Sequence, residues 1–573
     1  MANQARKPIP YGLASYKRIR EENCYYLDKT NYIPLLEETG KFLFFIRPRR
    51  FGKSSLLTVL ESYYDINRQE QFEFLFKGTY IYDQPTSEKN SYLILKLNFS
   101  QIDPHLDKVE ASFEEYLEET VLLFGQKYRQ FLGDDYFEMM RLKKTVYGKV
   151  RFLLNYVGRI DHKIYILIDE YDNFANTILT TAGQVAYQKL THGAGFFRFF
   201  FNVLKGAADS MDSGVGRMFI TGVSPVTMDD VTSGFNIGQQ ISLHPQFNQL
   251  LGFAETDVMT MLEYYGLETT DLLPVMRSWY DNYRFAAETK QTMFNTDMVL
   301  YFVKNYLRQN ALPEEMIDQN VRIDYGKLRH LIVLDRRLNG NFSQLLSILS
   351  GQSRSPVRVV QSFPVERLTK PDNFISLLFY FGLLSYTETG ELQIPNETVR
   401  QLMYSYIREG YQDVDVFNVD LWRLAELVYR MAYHGEWQAV FQFLASAVQQ
   451  QTAIRDYLYG EKVIQTFLLA YLSVTDYYII HTEAEFGKGF VDLYMEPFFG
   501  KHADVAYSYL IELKYLSRAE TTDQALTEAL AEAKTQLQQY ATDSRIVKRS
   551  LGSQLIKVAL IFSGWELCEF THV

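Results

Sequence analysis

Two groups of residues in this 573-residue chain have types and spacings suited to phosphate chemistry. The first is Arg47-Pro-Arg-Arg-Phe-Gly-Lys-Ser54, the pattern GxxxxGK[ST] with Arg47 at the first glycine position. Backbone N–H groups at a helix N-terminus form a nest for phosphate oxygens, and here Arg49, Arg50, Phe51, Gly52, Lys53, Ser54 and Ser55 supply it. Gly52 lets the backbone come close to a phosphate. The Lys53 ammonium suits β and γ phosphates, and the Ser54 hydroxyl suits Mg2+. Further on, Lys163-Ile-Tyr-Ile-Leu-Ile-Asp-Glu-Tyr-Asp172 ends an apolar run on two carboxylates. Asp169 at that place would hold Mg2+ through water, and Glu170 would polarise an attacking water.

The second group lies near the C-terminus. Asp492 is followed twenty residues later by Glu512-Leu513-Lys514, the spacing of a PD-(D/E)XK site. Two carboxylates on adjacent strands can share a divalent cation, and the Leu513 carbonyl can add a third oxygen. Such a metal activates water against a phosphodiester. Lys514 can orient or deprotonate that water, or stabilise the developing charge. Glu461 opens an apolar helix upstream, where nuclease folds of this kind place a further acidic residue. Gln536-Leu-Gln-Gln-Tyr540 fits a QxxxY pattern, with Gln536 and Tyr540 one helical turn apart on one face.

These residues need particular elements beneath them. Phe42 to Ile46 reads as a buried strand and Ser54 to Tyr64 as a helix with apolar residues at 56, 57, 60 and 63. Further strands are expected near 92–98, 163–168 and 217–221, with helices between them, which predicts a doubly wound α/β core. Ligands bind such cores at the carboxyl ends of the strands, where Asp169 and Glu170 stand. From about 250 the pattern is helical, opening at Leu251–Val258 with Thr256 or Asp257 as the expected cap. Ser353–Val357 reads as a loop. In the tail, period-two alternation puts Phe490, Asp492 and Tyr494 on one strand face, and Glu512 and Lys514 on one face of the next strand.

Composition sets the class. Hydrophobic residues make up 47%, enough for several cores, and the length suggests about three to four domains. The 42 Tyr and 41 Phe read mainly as core. Two cysteines at opposite ends, Cys24 and Cys568, exclude a disulfide framework and a cysteine zinc cluster. No apolar run approaches the ~20 residues needed to span a bilayer, and residues 1–10 lack the core of a signal peptide. The expectation is a cytoplasmic protein with no membrane partner. A net charge of −11 weighs against a broad nucleic-acid surface but leaves room for a local basic groove.

The set RPRRFGKS, LIDEYD and FITGVS, with Tyr11-Gly12 and Tyr26-Leu-Asp-Lys-Thr30 ahead of it, resembles the AAA-ATPase-like family of bacterial proteins. There the loop commonly carries Arg at the first glycine position, and the chain typically ends in a PD-(D/E)XK domain. The resemblance runs over roughly residues 8–290 and 455–562. It implies an AAA/STAND-like P-loop NTPase core over 1–245, a helical lid or winged-helix-like region over 246–360, a helical linker over 361–455, and a restriction-endonuclease-like α/β domain over 456–573. It places Thr221 as a sensor beside the γ-phosphate, a turn-capping role being the bland alternative. It assigns Asp28-Lys29-Thr30 to the ATPase module. Trp279-Tyr-Asp-Asn-Tyr-Arg-Phe285 becomes a lid segment in which Arg284 reaches the nucleotide or makes a surface salt bridge. Arg49, Arg50 and Arg217 stand as arginine-finger candidates. The implied cofactors are ATP and Mg2+. The implied partner is nucleic acid, DNA favoured, and an oligomer through the AAA-like domain is left open. The functional expectation is an ATPase coupled to a metal-dependent nuclease, the alternative being an ATP-switched scaffold with an inactive nuclease-like domain.

Overall fold

The computed structural model describes residues 6–210, 213–232, 237–321, 333–334, 337–338, 340–349, 358–368, 370–413, 419–449, 460–482 and 492–573. The chain divides into two compact units, Met1–Lys327 with Pro356–Pro395, and Leu328–Ser355 with Asn396–Val573.

The first unit is built on a five-stranded sheet in the order β2-β3-β4-β1-β5. The strands are β1 (Phe42–Ile46), β2 (Leu93–Asn98), β3 (Ile164–Asp169), β4 (Val215–Gly222) and β5 (Gln239–Gln240). Every pairing is parallel. β3 is buried along its whole length, which is why its sequence is an unbroken apolar run rather than an alternating one. The helices used below are α1 (Lys53–Tyr64), α2 (Val146–Arg159), α3 (Asn173–Thr191), α4 (Phe196–Ala208), α5 (Pro225–Thr232) and α6 (Thr296–Gln309). α2 buries Val146, Val150, Leu153, Leu154 and Val157, a single stripe at helical spacing. Much of the aromatic content is core: Phe99 and Phe113 pack with Phe174, Phe197 and Phe200 at centroid distances of 5.4–6.1 Å. A two-stranded pair, β8 (Ser385–Tyr386) with β9 (Leu392–Gln393), also belongs to this unit.

The cap expected at Thr256 or Asp257 is corrected. The helix spans Glu255–Tyr265 and its cap position is Ala254. Asp257 instead accepts from the Ala254 N–H at 2.8 Å and pairs with Lys29 at 3.1 Å. A carboxylate at the third helical position can reach back to the cap nitrogen, so acidic residues in a first turn are ambiguous in sequence.

The second unit holds a five-stranded mixed sheet, β10 (Tyr478–Thr482), β11 (Leu493–Pro497), β12 (Tyr507–Leu516), β13 (Gln554–Ser563) and β14 (Glu566–His572), in that order. β12 and β13 run parallel, and the other pairs are antiparallel. β6 (Val333–Leu334) pairs antiparallel with β7 (Arg337–Leu338). Two helices matter for the site, α7 (Glu461–Leu472) and α8 (Asp523–Tyr540). α8 lays Ala529, Ala533, Leu537 and Tyr540 on Tyr494, Leu510, Ala559 and Ile561 of the sheet. The alanines let helix and strands approach closely. The expected loop Ser353–Val357 and the residues just before Asp492, Phe490 included, lie outside the described residues. Among the described residues, no helix is long and apolar enough to cross a membrane.

Candidate functional site

In the first unit β1 runs through Arg47–Phe51 into α1, with Gly52 at the helix cap in the left-handed region (φ 97°). Lys53 is 8% exposed and donates to the carbonyls of Arg47 and Pro48 at 3.0 and 2.8 Å. Burial pushes its ammonium down to about 8, while Asp169 and Glu170 pull the other way. Asp169 ends β3, and the Ser54 hydroxyl hydrogen-bonds its carboxylate. Burial raises that carboxyl above its ordinary value, opposed by the Ser54 bond and the Lys53 charge. Ser54 and Asp169, distant in sequence, thus share one point at the end of the sheet. Glu170 follows in a left-handed conformation (φ 47°), and its carboxylate accepts from Asn173 Nδ2 at 2.5 Å.

The rest of the Asp169–Asp172 motif is structural. Asp172 is buried and accepts the N–H groups of Val223 at 3.2 Å and Ser224 at 2.5 Å. Tyr171 donates to the Ser224 carbonyl at 2.5 Å. Gly222 is required between them, since a Cβ there would stand 2.4 Å from Asp172 Oδ1 and 2.5 Å from the Tyr171 ring. These bonds fix the end of β4 against the end of β3. Thr221, expected beside a phosphate, is buried and donates to the Phe45 carbonyl at 2.7 Å, so its hydroxyl bridges β4 and β1.

Arg47 is 1% exposed, its guanidinium between the rings of Phe45 and Phe285 at 4.3 and 4.2 Å. It donates to Ile46 O, Ser242 O and Phe247 O at 3.0, 2.6 and 2.9 Å. The residue that departs from the glycine pattern is therefore a buried brace under the loop. Phe51 is buried edge-on to Tyr283 and Phe285 at 4.9 and 5.2 Å. Its carbonyl accepts from Thr296 Oγ1 at 3.1 Å, and Asp297 pairs with Arg50 at 3.2 Å. The loop is held from outside by the Tyr283–Phe285 segment and the start of α6.

Of the two roles expected for Arg284, its surroundings favour the salt bridge: it is 4% exposed, donates to the carbonyls of Tyr386 and Lys290 at 3.1 and 2.9 Å, and lies 3.8 Å from the carboxylate of the exposed Glu388. A second expectation is corrected. Arg217 cannot serve as a finger, because it is buried in β4 against Glu88 at 2.5 Å and against the Gly40 and Glu37 carbonyls. Burial costs a cation several kcal/mol unless such partners hold it, and those partners lie far away in sequence. Asp28, Lys29 and Thr30 do belong to this unit. Asp28 accepts from the Tyr80 N–H at 2.7 Å, and Thr30 Oγ1 from Ile81 N at 3.1 Å.

Beside Gly52 and Ser55 opens a half-open apolar cleft with a cavity volume of about 120 Å³. Leu13, Tyr25, Tyr32, Val59, Leu251 and Phe253 line it. Sequence reasoning missed this feature, because its walls come from four separate stretches.

In the second unit Asp492 stands just before β11, while Glu512, Leu513 and Lys514 lie in β12. Asp492 Oδ2 accepts from the Leu513 N–H at 2.7 Å, which ties the carboxylate to the neighbouring strand. Glu512 is 4% exposed, and its Oε2 is buried with no hydrogen-bond partner among the described residues. Gln536 Oε1 on α8 is orphaned in the same sense. Lys514 Nζ lies 3.3 Å from Glu512 and 3.0 Å from Glu532, one turn from Gln536 on the same helix. Burial, and then the charge of Glu512, raise the Asp492 carboxyl well above its usual range. Burial raises that of Glu512, with Lys514 opposing, and Glu461 at the start of α7 adds to both. Burial alone would lower the Lys514 ammonium, but Glu532 and Glu512 outweigh it and the net is upward.

Two carboxyls raised by burial, with the charge of Glu461 acting on both, and a buried carboxylate oxygen with no donor among the described residues, are what a divalent cation would relieve. The donor set is all oxygen and fits Mg2+ or Mn2+. Sequence reasoning missed Gln465, whose Nε2 donates to the Asp492 carbonyl at 3.0 Å, and Glu532. Both sit four residues from a chosen residue on its own helix, a spacing that could have found them.

Residues 10–232 match the family model described as "Predicted AAA-ATPase", and residues 459–570 the model of the PD-(D/E)XK nuclease superfamily. A curated relative from Azotobacter chroococcum mcd 1, named "Uncharacterized protein in vnfD 5'region", is 27% identical over 322 residues, covering 55% of this chain and 56% of its own length. The chain thus spans about half the length of that relative. The chain carries a predicted AAA-ATPase-like domain over residues 10–232 and a PD-(D/E)XK nuclease-superfamily domain over residues 459–570.

Proposed function

We propose that the first unit binds ATP with Mg2+ and hydrolyses it, and that the second unit cleaves nucleic acid, DNA in the first instance, with a divalent cation. For the nucleotide, the Lys53 ammonium offsets phosphate charge and the N–H groups from Gly52 onward receive phosphate oxygens. Ser54 and Asp169 hold the cation, and Glu170, positioned by Asn173, accepts a proton from water. The apolar lining of the cleft beside Ser55 suits the face of a purine base.

In the second unit Asp492, Glu512 and the Leu513 carbonyl hold the metal, and Glu461 adds negative charge at its edge. The metal, when bound, supplies a water of lowered pKa and a counter-charge for the phosphate. Lys514, held as an ammonium by its carboxylate neighbours, orients that water and stabilises charge on the phosphate rather than acting as the base. Gln536 offers its buried amide to the site. The observation that carries this reading is the buried Glu512 carboxylate, whose Oε2 has no partner among the described residues while its Oε1 lies 3.3 Å from Lys514 and its charge acts on Asp492.

The second reading, an ATP-switched scaffold that grips nucleic acid or protein without cutting, is favoured by the net charge of −11 and by the Glu532 pair that occupies Lys514. One experiment separates them: cleavage of plasmid and single-stranded DNA with Mg2+ or Mn2+, with and without ATP, by wild type, Lys514→Ala and Lys53→Ala. Cutting that disappears in Lys514→Ala and responds to ATP only with Lys53 intact supports the gated nuclease. Wild type that never cuts under any of these conditions leaves the scaffold reading.

A further inference from the structure

Away from both sites, the first unit gathers His192, Asp230 and Glu366, whose ligand atoms all lie within 4.8 Å of one another. His192 follows the last residue of α3, Asp230 is in α5, and Glu366 is in the short turn Val365–Arg367. We propose that these three side chains form a binding site for a divalent transition-metal ion of the zinc class.

The tautomer of His192 supports the assignment. The Thr191 hydroxyl donates its single proton to the Tyr187 carbonyl at 3.1 Å. Its oxygen therefore accepts from His192 Nδ1, 2.9 Å away, and that nitrogen carries the ring proton. Nε2 is left with its lone pair facing Glu366 Oε1 at 3.1 Å and Asp230 Oδ1 at 3.6 Å. A lone pair facing two carboxylates is repulsive unless a positive charge lies between them. Ligands roughly 2.0–2.1 Å from a tetrahedral ion stand about 3.3 Å apart, the mean of these two separations.

Each ligand is also oriented from behind. Asp230 accepts from the Tyr187 hydroxyl at 2.9 Å and from the Val365 N–H at 3.4 Å. Glu366 accepts from Gln188 Nε2. Metal-ligating side chains have such outer partners, which fix their direction and basicity. One imidazole with two carboxylates selects Zn2+, or Mn2+ after it, over Mg2+, and Glu366, 43% exposed, leaves the site open to solvent. The ion would fasten the Val365–Arg367 turn to the ends of α3 and α5, the helices that follow Asp169 and Thr221.

The test is Zn2+ titration of the chelator-stripped full chain by calorimetry, in excess Mg2+ so that the oxygen-only sites are filled. Wild type takes up a Zn2+ equivalent that His192→Gln and Glu366→Gln both lose, while their far-UV spectra and melting curves match wild type without zinc. Thr191→Val, which removes the oxygen that fixes the ring, weakens binding roughly 10–100-fold. No Zn2+ uptake in the presence of Mg2+ would overturn the site in favour of a protonated imidazole bridging the two carboxylates. Uptake of equal stoichiometry and affinity in His192→Gln and Glu366→Gln would overturn it as well.

Discussion

At the residue scale, the phosphate role proposed for Lys53 would link binding to pH. Its ammonium is pushed down to about 8 by burial, so the free protein is half neutral there at that pH. Only the charged form offsets phosphate, so ATP binding above pH 8 requires proton uptake, and affinity falls by up to about tenfold per pH unit. Calorimetry in buffers of different ionisation enthalpy measures that proton directly. If the proposed site binds ATP–Mg2+, Lys53→Ala should abolish that binding in the same assay. The pair Asp492 and Glu512 works in the opposite sense. Their folded-state values are raised, so the folded unit keeps protons that the unfolded chain releases from about pH 4 upward. Stability from this source is present in acid and is lost as pH rises through the raised values. The metal-free second unit should therefore melt at a lower temperature as pH increases toward 8, and Mn2+ should reverse the trend. Asp492→Asn should flatten it without metal, which calorimetry across pH tests.

At the element scale, the phosphate loop keeps its shape because the segments around it leave no alternative. Arg47 fills the space beneath it, Phe51 is wedged by Tyr283 and Phe285, and Asp297 of α6 holds Arg50. Restoring glycine by Arg47→Gly should weaken the protein, on the order of 3 kcal/mol, by opening a cavity and stranding three carbonyls. An improved fit to the general glycine pattern predicts the reverse, and denaturant melts decide between them. Gly382 approaches the loop from the 356–395 segment, with a positive φ of 77°. A Cβ there would lie 2.8 Å from two atoms of Pro48. Gly382→Ala should displace the loop and lower ATP affinity while far-UV circular dichroism stays unchanged. Fluorescent-nucleotide titration reads that loss.

For the whole molecule, two compact units with different ligand chemistry predict separate responses to ligands. A ligand that binds only the folded state stabilises by RT ln(1 + [L]/Kd), about 2.7 kcal/mol at a hundredfold excess over Kd. ATP–Mg2+ should raise the calorimetric transition that Lys53→Ala alone desensitises. Mn2+ without nucleotide should raise the one that Asp492→Asn desensitises. Two ligands acting on one common transition would show that the units unfold together.

What the sequence determined by itself was local. Strand–loop–helix order around Gly52 and Lys53, the apolar run ending at Asp169, and the Asp492–Glu512–Lys514 spacing were legible because each depends on neighbours along the chain or on a periodicity of two or 3.6. The parallel core could be read because buried strands are continuously apolar. Tertiary structure decided the partners of buried polar groups. Arg217 and Arg284 read as surface or nucleotide-facing cations and Arg47 as a departure from the glycine pattern, yet all three are buried, held by carbonyls, rings or carboxylates from remote segments. Thr221 has the right position in its strand, but its hydroxyl direction is set by β1 alongside. His192, Asp230 and Glu366 are separated by up to 174 residues in sequence and meet only because α3, α5 and the Val365–Arg367 turn converge. A charge carries no periodic signature of its own, so where it points is fixed by whichever remote atoms can lower the cost of burying it.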